Sequence, residues 1–255
     1  MSYGLWLSTA GLQTNQYRMS VMANNIANSN TVGFKRDLAV VRERSVESSM
    51  DAANRRFTHP TLDHMTGGAF VSPTVHTFEQ GDLERTDNPL DLAIYGDGFF
   101  VVGDGSDTRY TRDGRMTLND SGELVMTAGQ GRFRVLDTSG QPIRLDRTGG
   151  GEIVVREDGM ILQDDVPAGR IATVRFDDRG RLTKSGGNLY RNHGDAPTPS
   201  SSQIKVGYVE QSTAGPIDGM AKMIEISRAY QLNANLISLQ DQTIGQAVNT
   251  VGRVG

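Results

Sequence analysis

Histidine and cysteine side chains often bind metal ions or transfer protons in enzymes, and neither is arranged for that chemistry in this chain. The chain has no cysteine, which removes disulfides, thiolate metal ligands and cysteine nucleophiles. It contains no HExxH motif, no other pair at metal-ligand spacing and no GxSxG motif. The four histidines are His59, His64, His76 and His193. We therefore predict no catalytic residue, no metal site and no cofactor.

Two aspartate pairs, Asp164–Asp165 and Asp177–Asp178, provide the kind of acids that a glycoside hydrolase uses. Acids close to glycine in a strand-and-turn sequence usually hydrogen-bond to the turn itself. A non-enzymatic chain is therefore predicted. A peptidoglycan-cleaving enzyme is kept as the alternative, and replacing each of the four acids with asparagine would test it.

Two glycine-containing segments, residues 95–98 and 103–105, are similar to phosphate-binding loops. Neither has a complete GxGxxG followed by a helix, and neither has a GK[ST] sequence. Both are predicted to be hairpin turns.

Residues 81–210 alternate short β-branched or aromatic runs with turn pairs such as Asp113-Gly114 and Asp158-Gly159. The strands predicted from these runs cover residues 92–94, 99–102, 109–111, 116–118, 123–126, 133–136, 153–155, 160–162 and 172–176. No crossover helix separates them, so an all-β domain is predicted and a parallel α/β sheet is not. A β-rich surface adhesin, in which this fragment alone binds a ligand, is another alternative.

Both ends of the chain are nearly uncharged and lack proline. Residues 1–34 contain one charged side chain, Arg18, and residues 231–255 contain only Asp241 and Arg253, although 22% of the whole chain is charged. Proline-free segments of this kind favour long helices, predicted at about residues 4–29 and 216–250. Gly33 is predicted to follow the first helix in a left-handed conformation.

Each terminal segment has an apolar residue at every seventh position, and such a stripe lies on one face of a helix. The stripe residues, which we predict to pack subunits together, are Leu5, Leu12, Met19 and Ile26 in the first segment and Met223, Tyr230, Ile237, Ile244 and Val251 in the second. Amides fill much of the remaining surface, and amides can be buried once hydrogen-bonded. Two amphipathic helices closing over an ordinary core are one interpretation, and packing within a polymer is the other.

These elements predict an α+β fold in which the long terminal helices pair into a coiled-coil-like domain that carries an inserted all-β domain. The predicted division is residues 1–36 with 211–255 as a helical polymerisation domain, 37–80 as an extended connector and 81–210 as the all-β domain. A net charge of −4 makes nucleic acid an unlikely partner. No apolar stretch approaches the length of a membrane span, so no membrane insertion is expected.

The segment ANNIANSNTVGFK at residues 23–35 closely resembles the rod and hook axial proteins of the bacterial flagellum. LDLAIYGDGFFVV at 90–102, YTRDG at 110–114, GYVEQS at 207–212 and MIEISRAYQLN at 223–233 agree with that family in order. The matched motif positions are Asn24, Asn25, Ala27, Asn28, Thr31, Gly33 and Phe34. The chain departs from the family at Thr213-Ala214-Gly215-Pro216, just before the second helix, which leaves the start of that helix open.

The resemblance implies a structural subunit of the basal-body rod, which polymerises through its terminal helices into a hollow drive shaft that transmits torque. The chain length resembles that of the proximal or distal rod proteins. The stretch TGGAFVSPTVHTFEQG resembles the distal type, whereas the compact β domain and the AVNTVGRV sequence are compatible with the proximal type. The proximal rod is slightly favoured, with a distal rod or hook-type protein as the alternative. Implied partners are copies of the chain, other axial proteins and the surrounding rings. The implied location spans the periplasm. Export is expected through the flagellar type III apparatus, because residues 1–13 lack the features of a cleaved secretory signal.

Overall fold

The computed structural model describes residues 2–43, 68–129, 131–146 and 151–251. Two long helices lie at the ends of the described chain, α1 at Ser2–Ala27 and α2 at Pro216–Val251. The strands between them are β1 Asp37–Glu43, β2 Ala69–His76, β3 Leu83–Arg85, β4 Leu92–Tyr95, β5 Phe99–Gly103, β6 Thr108–Thr111, β7 Met116–Leu118, β8 Leu124–Met126, β9 Arg134–Val135, β10 Ile153–Val155, β11 Met160–Gln163, β12 Val166–Arg170, β13 Thr173–Arg175, β14 Leu182–Lys184, β15 Leu189–Asn192, β16 Thr198–Pro199, β17 Gln203–Val206 and β18 Tyr208–Glu210. Helices at both ends and a β-rich middle confirm the predicted α+β class.

The chain divides into two units. The helical unit contains residues 1–27, 37–75 and 215–255, and the β unit contains residues 28–36 and 76–214. These bounds differ from the sequence-based division. Residues 28–36 belong to the β unit, whereas the described parts of the expected connector that precede residue 76 belong to the helical unit.

Both helices begin and end where the local sequence allows it. Pro216 is the first residue of α2, a position at which its missing N–H costs nothing, and Asp218 lies in the first turn next to the positive end of the helix dipole. The start of α2 is therefore at the expected residue despite the departure from the family pattern. Helix α1 ends at Ala27, two residues earlier than predicted, and Gly33 has the expected left-handed φ of 68°.

In the β unit, every strand pair with a defined register is antiparallel, as the absence of crossover helices predicted. The largest sheet has nine strands. Seven follow the order β14-β15-β6-β5-β9-β8-β7, β13 also pairs with β5, and β16 pairs with β13. The largest buried apolar cluster of the β unit draws on several sheets and includes Leu92, Phe100, Met126, Ile161 and Ile204. A smaller aromatic cluster contains edge-to-face contacts such as Phe99 with Tyr190 and Tyr110 with Phe176.

All nine predicted strands correspond to observed strands, within one or two residues at each end. One prediction about their connections is wrong. Residues 95–98 join β4, which pairs with β17, to β5, which pairs with β6, so this turn links two sheets and is not a hairpin. Residues 103–105 do form the predicted hairpin turn, since Gly103 pairs with Thr108 across β5 and β6.

Candidate functional site

The predicted stripe of α1 lies on a face of intermediate exposure. Leu5, Leu12, Met19 and Ile26 are all partly buried. Positions between them add four protected polar side chains, because Ser8, Thr14 and Asn15 are each 7% exposed and Asn25 is 6% exposed. The protected face therefore contains polar groups as well as the apolar stripe.

The stripe of α2 has the same character. Met223, Tyr230, Ile237 and Ile244 are partly buried, while Val251 ends the helix with a side chain outside the described structure. A second row with the same seven-residue spacing is also protected. It consists of Gly219, Ile226, Asn233, Gln240 and Ala247.

The two helices of the helical unit pack against each other in opposite directions. Near the start of α1, a Cβ built on Gly4 would lie 3.0 Å from Nε2 of Gln240, and one on Gly11 would lie 2.9 Å from Nδ2 of Asn233. At the other end, a Cβ on Gly219 would lie 2.8 Å from Cγ1 of Ile26. Glycines thus lie where the two helices approach closely, and a larger side chain at these positions would have to displace a side chain of the partner helix.

The helical unit has few buried apolar side chains and many exposed ones. Among the described residues, 29 hydrophobic side chains are buried, and Ile226 is the single one of them in this unit. Of 15 large hydrophobic side chains that are exposed, 12 belong to it. The seven on α2 are Ile217, Met220, Ile224, Leu232, Leu236, Leu239 and Val248. The unit therefore presents apolar surface that the described residues do not cover.

The first half of the family motif closes the end of α1. The amide of Asn25, which is 6% exposed, donates to the Asp37 carbonyl oxygen at 2.8 Å and accepts from the Asp37 N–H at 2.9 Å. One side chain thereby satisfies both backbone groups of the first residue of β1. Asn24 and Ala27 lie on the exposed side of the last helical turn.

The second half of the motif is a tight turn inside the β unit. The Thr31 N–H donates to the Asn28 carbonyl oxygen at 3.1 Å, and the Thr31 hydroxyl to Asn28 Oδ1 at 3.3 Å. At Gly33, a Cβ would lie 2.6 Å from the backbone carbon of Arg112, so only glycine fits. Phe34 is 4% exposed, and the ammonium of Lys184 lies 4.0 Å from the centre of its ring.

A buried cluster of charges follows the motif, and sequence analysis did not predict it. The ammonium of Lys35 lies 2.6 Å from Oε1 of Glu210, with both side chains fully buried, and Arg112 Nη1 lies 3.3 Å from Oε2 of the same carboxylate. Burial lowers the pKa of Lys35 below its ordinary value, opposed by the charge of Glu210. Lys35, Arg112 and Glu210 all lie in stretches that carry the family resemblance. That resemblance is the sequence feature from which their importance could have been predicted.

The acids considered for catalysis serve mainly in turns. Asp164 and Asp165 have positive φ values of 51° and 64° in the turn between β11 and β12. Asp178 accepts a hydrogen bond from the Gly180 N–H at 2.9 Å and caps a short 3-10 helix. Asp177 lies beside it in a polar cleft on the surface of the β unit that also includes His193.

The turn at residues 103–105 is closed by its own aspartate. Hydrogen bonds from the Ser106 N–H, the Ser106 hydroxyl and the Asp107 N–H hold the pKa of Asp104 at about 2. These donors are therefore not free to bind phosphate.

The histidines show no common arrangement in the part of the chain that is described. The ring of His193 contacts the Thr183 hydroxyl at 3.0 Å, and His76 packs edge-to-face against Phe78. His59 and His64 lie outside the described residues. Within the described ranges, no group of three histidine, aspartate or glutamate side chains is placed to hold a metal ion.

No described helix is long and apolar enough to cross a membrane.

Three family models match successive parts of the chain. "Flagella basal body rod protein" matches residues 8–35, "Flagellar hook protein FlgE/F/G D1 domain" matches 93–183, and "Flagellar basal body rod FlgEFG protein C-terminal" matches 205–250. The first and last matches cover most of α1 and α2. The middle match covers much of the β unit.

Relatives match over the whole length. A flagellar basal-body rod protein FlgF of Caulobacter vibrioides is 36% identical over 258 residues, covering 100% of both chains. A flagellar basal-body rod protein FlgG of Bacillus subtilis is 30% identical over 265 residues, covering 98% of both chains. Because these rod proteins are 30% or more identical to the chain over nearly its full length, the chain belongs to the flagellar basal-body rod protein family and is a structural subunit of the flagellar rod.

Proposed function

We propose that this subunit polymerises through its terminal helices into a hollow shaft that transmits torque, and that it has no catalytic activity. The observation that carries the proposal is the distribution of apolar side chains. The helical unit holds 12 of the 15 exposed large hydrophobic side chains among the described residues. Burying each such side chain contributes about 1.5 to 3 kcal/mol, so contacts between subunits have a large driving force.

A coiled-coil-like pairing of α1 and α2 would leave that surface free for neighbouring subunits. The two protected rows of α2 together follow alternating steps of four and three residues from Gly219 to Ala247, which is the coiled-coil spacing, and Ser227, Ala229 and Ala234 beside them are also partly buried. The antiparallel contacts of Gly4 and Gly11 are compatible with this geometry. In this arrangement the predicted stripes face the paired helix, and the outward leucines of α2 pack against other subunits.

The position in the flagellum is part of the proposal. We favour the proximal rod, with the distal rod or a hook-type position as the alternative, in contact with other axial proteins and with the surrounding rings. Export through the flagellar type III apparatus fits the nearly uncharged first 34 residues. Imaging purified basal bodies with this subunit labelled would distinguish the positions along the shaft.

Leu239→Asp tests assembly without disturbing the subunit itself. Leu239 is 58% exposed, so we expect its replacement to change the unfolding free energy of the free subunit by no more than about 0.5 kcal/mol. In the polymer, the same aspartate would be a buried unpaired charge and would cost several kcal/mol. We expect cells with this variant to lack complete rods and to be non-motile, as judged by electron microscopy of basal bodies and by swimming assays.

The matched control is Val166→Asp in the β unit, where Val166 is 64% exposed. We expect this variant to assemble at nearly the wild-type level. Leu12→Asp and Ile237→Asp should also prevent assembly. Because these side chains are partly buried within the subunit, each variant would change both the stability of the subunit and its contacts with other subunits. Normal rods built from Leu239→Asp would contradict the proposal.

A further inference from the structure

The chain passes between the helical unit and the β unit four times, after Ala27, Arg36, Val75 and Ala214. On the β side, these crossings leave three short segments: residues 28–36, the residues from His76 onward, and the residues leading to Ala214. Any force carried by the covalent chain from one unit to the other must enter the β unit through these three segments.

Hydrogen bonds inside the β unit join the first of these segments to the last. The Gly33 N–H donates to the Glu210 carbonyl oxygen at 2.7 Å, and the Thr213 N–H donates to the Phe34 carbonyl oxygen at 3.1 Å. The Arg36 N–H donates to the Thr213 hydroxyl at 3.0 Å. The two segments therefore run side by side as a short ladder.

The middle segment is tied to the same place. The Thr77 N–H donates to the Arg36 carbonyl oxygen at 3.1 Å, and the ammonium of Lys35 donates to the Glu79 carbonyl oxygen at 2.5 Å. The Gly81 N–H donates to the carboxylate of Glu210 at 2.8 Å. Lys35 and Glu210 thus each bridge to the middle segment while they pair with each other.

The ion pair is the centre of this arrangement and is shielded from water. Lys35 and Glu210 are 0% exposed and Arg112 is 2% exposed, and Arg112 also donates to the Gly96 carbonyl oxygen at 2.8 Å. A buried ion pair contributes little net stability, since desolvation offsets most of the attraction. It does impose a specific geometry, because breaking one contact leaves a buried charge without its partner.

We propose that Lys35 and Glu210 form a mechanical joint, which locks together all three segments that attach the β unit to the helical unit. The inference rests on the proposed torque-bearing function and adds the residues through which load is distributed. A force that enters along one segment is shared by the other two, because the ion pair and its hydrogen bonds keep the three in register. Lys35 and Glu210 are positioning residues in this role.

Lys35→Met is the direct test. It keeps most of the side-chain length, removes the ammonium, and leaves Glu210 paired with Arg112 and the Gly81 N–H. In the full-length subunit we expect the amides of Gly33 and Thr213 to exchange with solvent about tenfold faster, the factor for losing a hydrogen bond to a charged group. The amides of Val101 and Ile171, in the β-sheet core, should exchange at wild-type rates. Rods should assemble in normal number, and swimming should fail at lower medium viscosity than in the wild type.

Glu79→Gln is the matched control, because it removes the neighbouring exposed ion pair with Arg36 and leaves the Glu79 carbonyl oxygen in place. Its exchange rates and viscosity response should equal those of the wild type. The proposal is overturned if Lys35→Met behaves like this control. It is also overturned if Lys35→Met accelerates exchange equally throughout the β unit, since the pair would then serve only general stability. The two proposals can fail separately. Normal rods built from Leu239→Asp would contradict polymerisation through the helices, whereas the exchange rates of Lys35→Met would still test the joint between Lys35 and Glu210.

Discussion

At the scale of single residues, Gly33 shows how a motif position acquires its residue type. Its φ of 68° favours glycine, and the backbone of Arg112 occupies the space that a side chain would need. The sequence alone predicted the left-handed conformation, because a glycine just past a helix often adopts it. It could not predict the contact with Arg112, which depends on residues far along the chain. The same limit applies to Lys35 and Glu210, which are 175 positions apart.

Gly33→Ala should destabilise the β unit through two effects. The left-handed backbone costs about 1 to 2 kcal/mol for alanine, and the forced displacement of the Arg112 backbone adds about 1 to 3 kcal/mol. Gly186→Ala is the control, because its φ is 82° and a Cβ there would meet no atom within 4 Å. Urea unfolding should show a loss of about 1 to 2 kcal/mol for the control and a clearly larger loss for Gly33→Ala. Equal losses would mean that the close approach to Arg112 has no energetic consequence.

At the scale of elements, the sequence predicted the long helices and the strands. It predicted only some of the residues that lie at the contact between α1 and α2. Composition indicated both helices, because the chain ends lack proline and are nearly uncharged. The apolar stripes indicated one protected row on each helix. The second row on α2 mixes apolar Ile226 and Ala247 with Gly219, Asn233 and Gln240, so it gave no apolar periodic signal. Small and amide residues are protected there because the two helices approach closely.

Two glycines of α2 should respond in opposite ways to alanine. A Cβ on Gly245 would meet no atom within 4 Å, so Gly245→Ala should stabilise the helical unit by about 0.5 to 1 kcal/mol through the lower backbone entropy of the unfolded chain. At Gly219, the new Cβ would lie 2.8 Å from Ile26, and its displacement should cancel or reverse that gain. Thermal unfolding followed by circular dichroism measures both. An equal rise in melting temperature for the two variants would show that α1 does not pack closely on α2 at Gly219.

At the scale of the whole molecule, the two units differ in how many hydrophobic side chains each of them buries within its own structure. The β unit holds 28 of the 29 buried hydrophobic side chains among the described residues, and the helical unit holds one. The order of domains along the sequence predicted a central β region between terminal helices. It did not predict that residues 28–36 belong to the β unit, because that depends on hydrogen bonds with residues near Thr213.

The free subunit should therefore unfold in two steps. Trp6, the single tryptophan of the chain, lies in the helical unit and is 49% exposed, so its emission reports on that unit. In a urea titration of the monomer, Trp6 emission should change at a lower urea concentration than the amide protection of Val101 in the β unit. In assembled rods, the amides of Leu12 and Ile237 should become far more protected. A single coincident transition in the monomer would show that the helical unit is stable without neighbours.

The antiparallel contact between Gly4 and Gln240 also has a consequence for biosynthesis. The residues of α1 must pack against residues of α2 that are synthesised long after them. The β unit, with a core formed between residues 34 and 214, can be completed while the final helix is still being made. The helix pair can form only after α2 has been synthesised. A subunit truncated before α2 would consequently lack the paired helices, and under the proposed function it would be unable to polymerise.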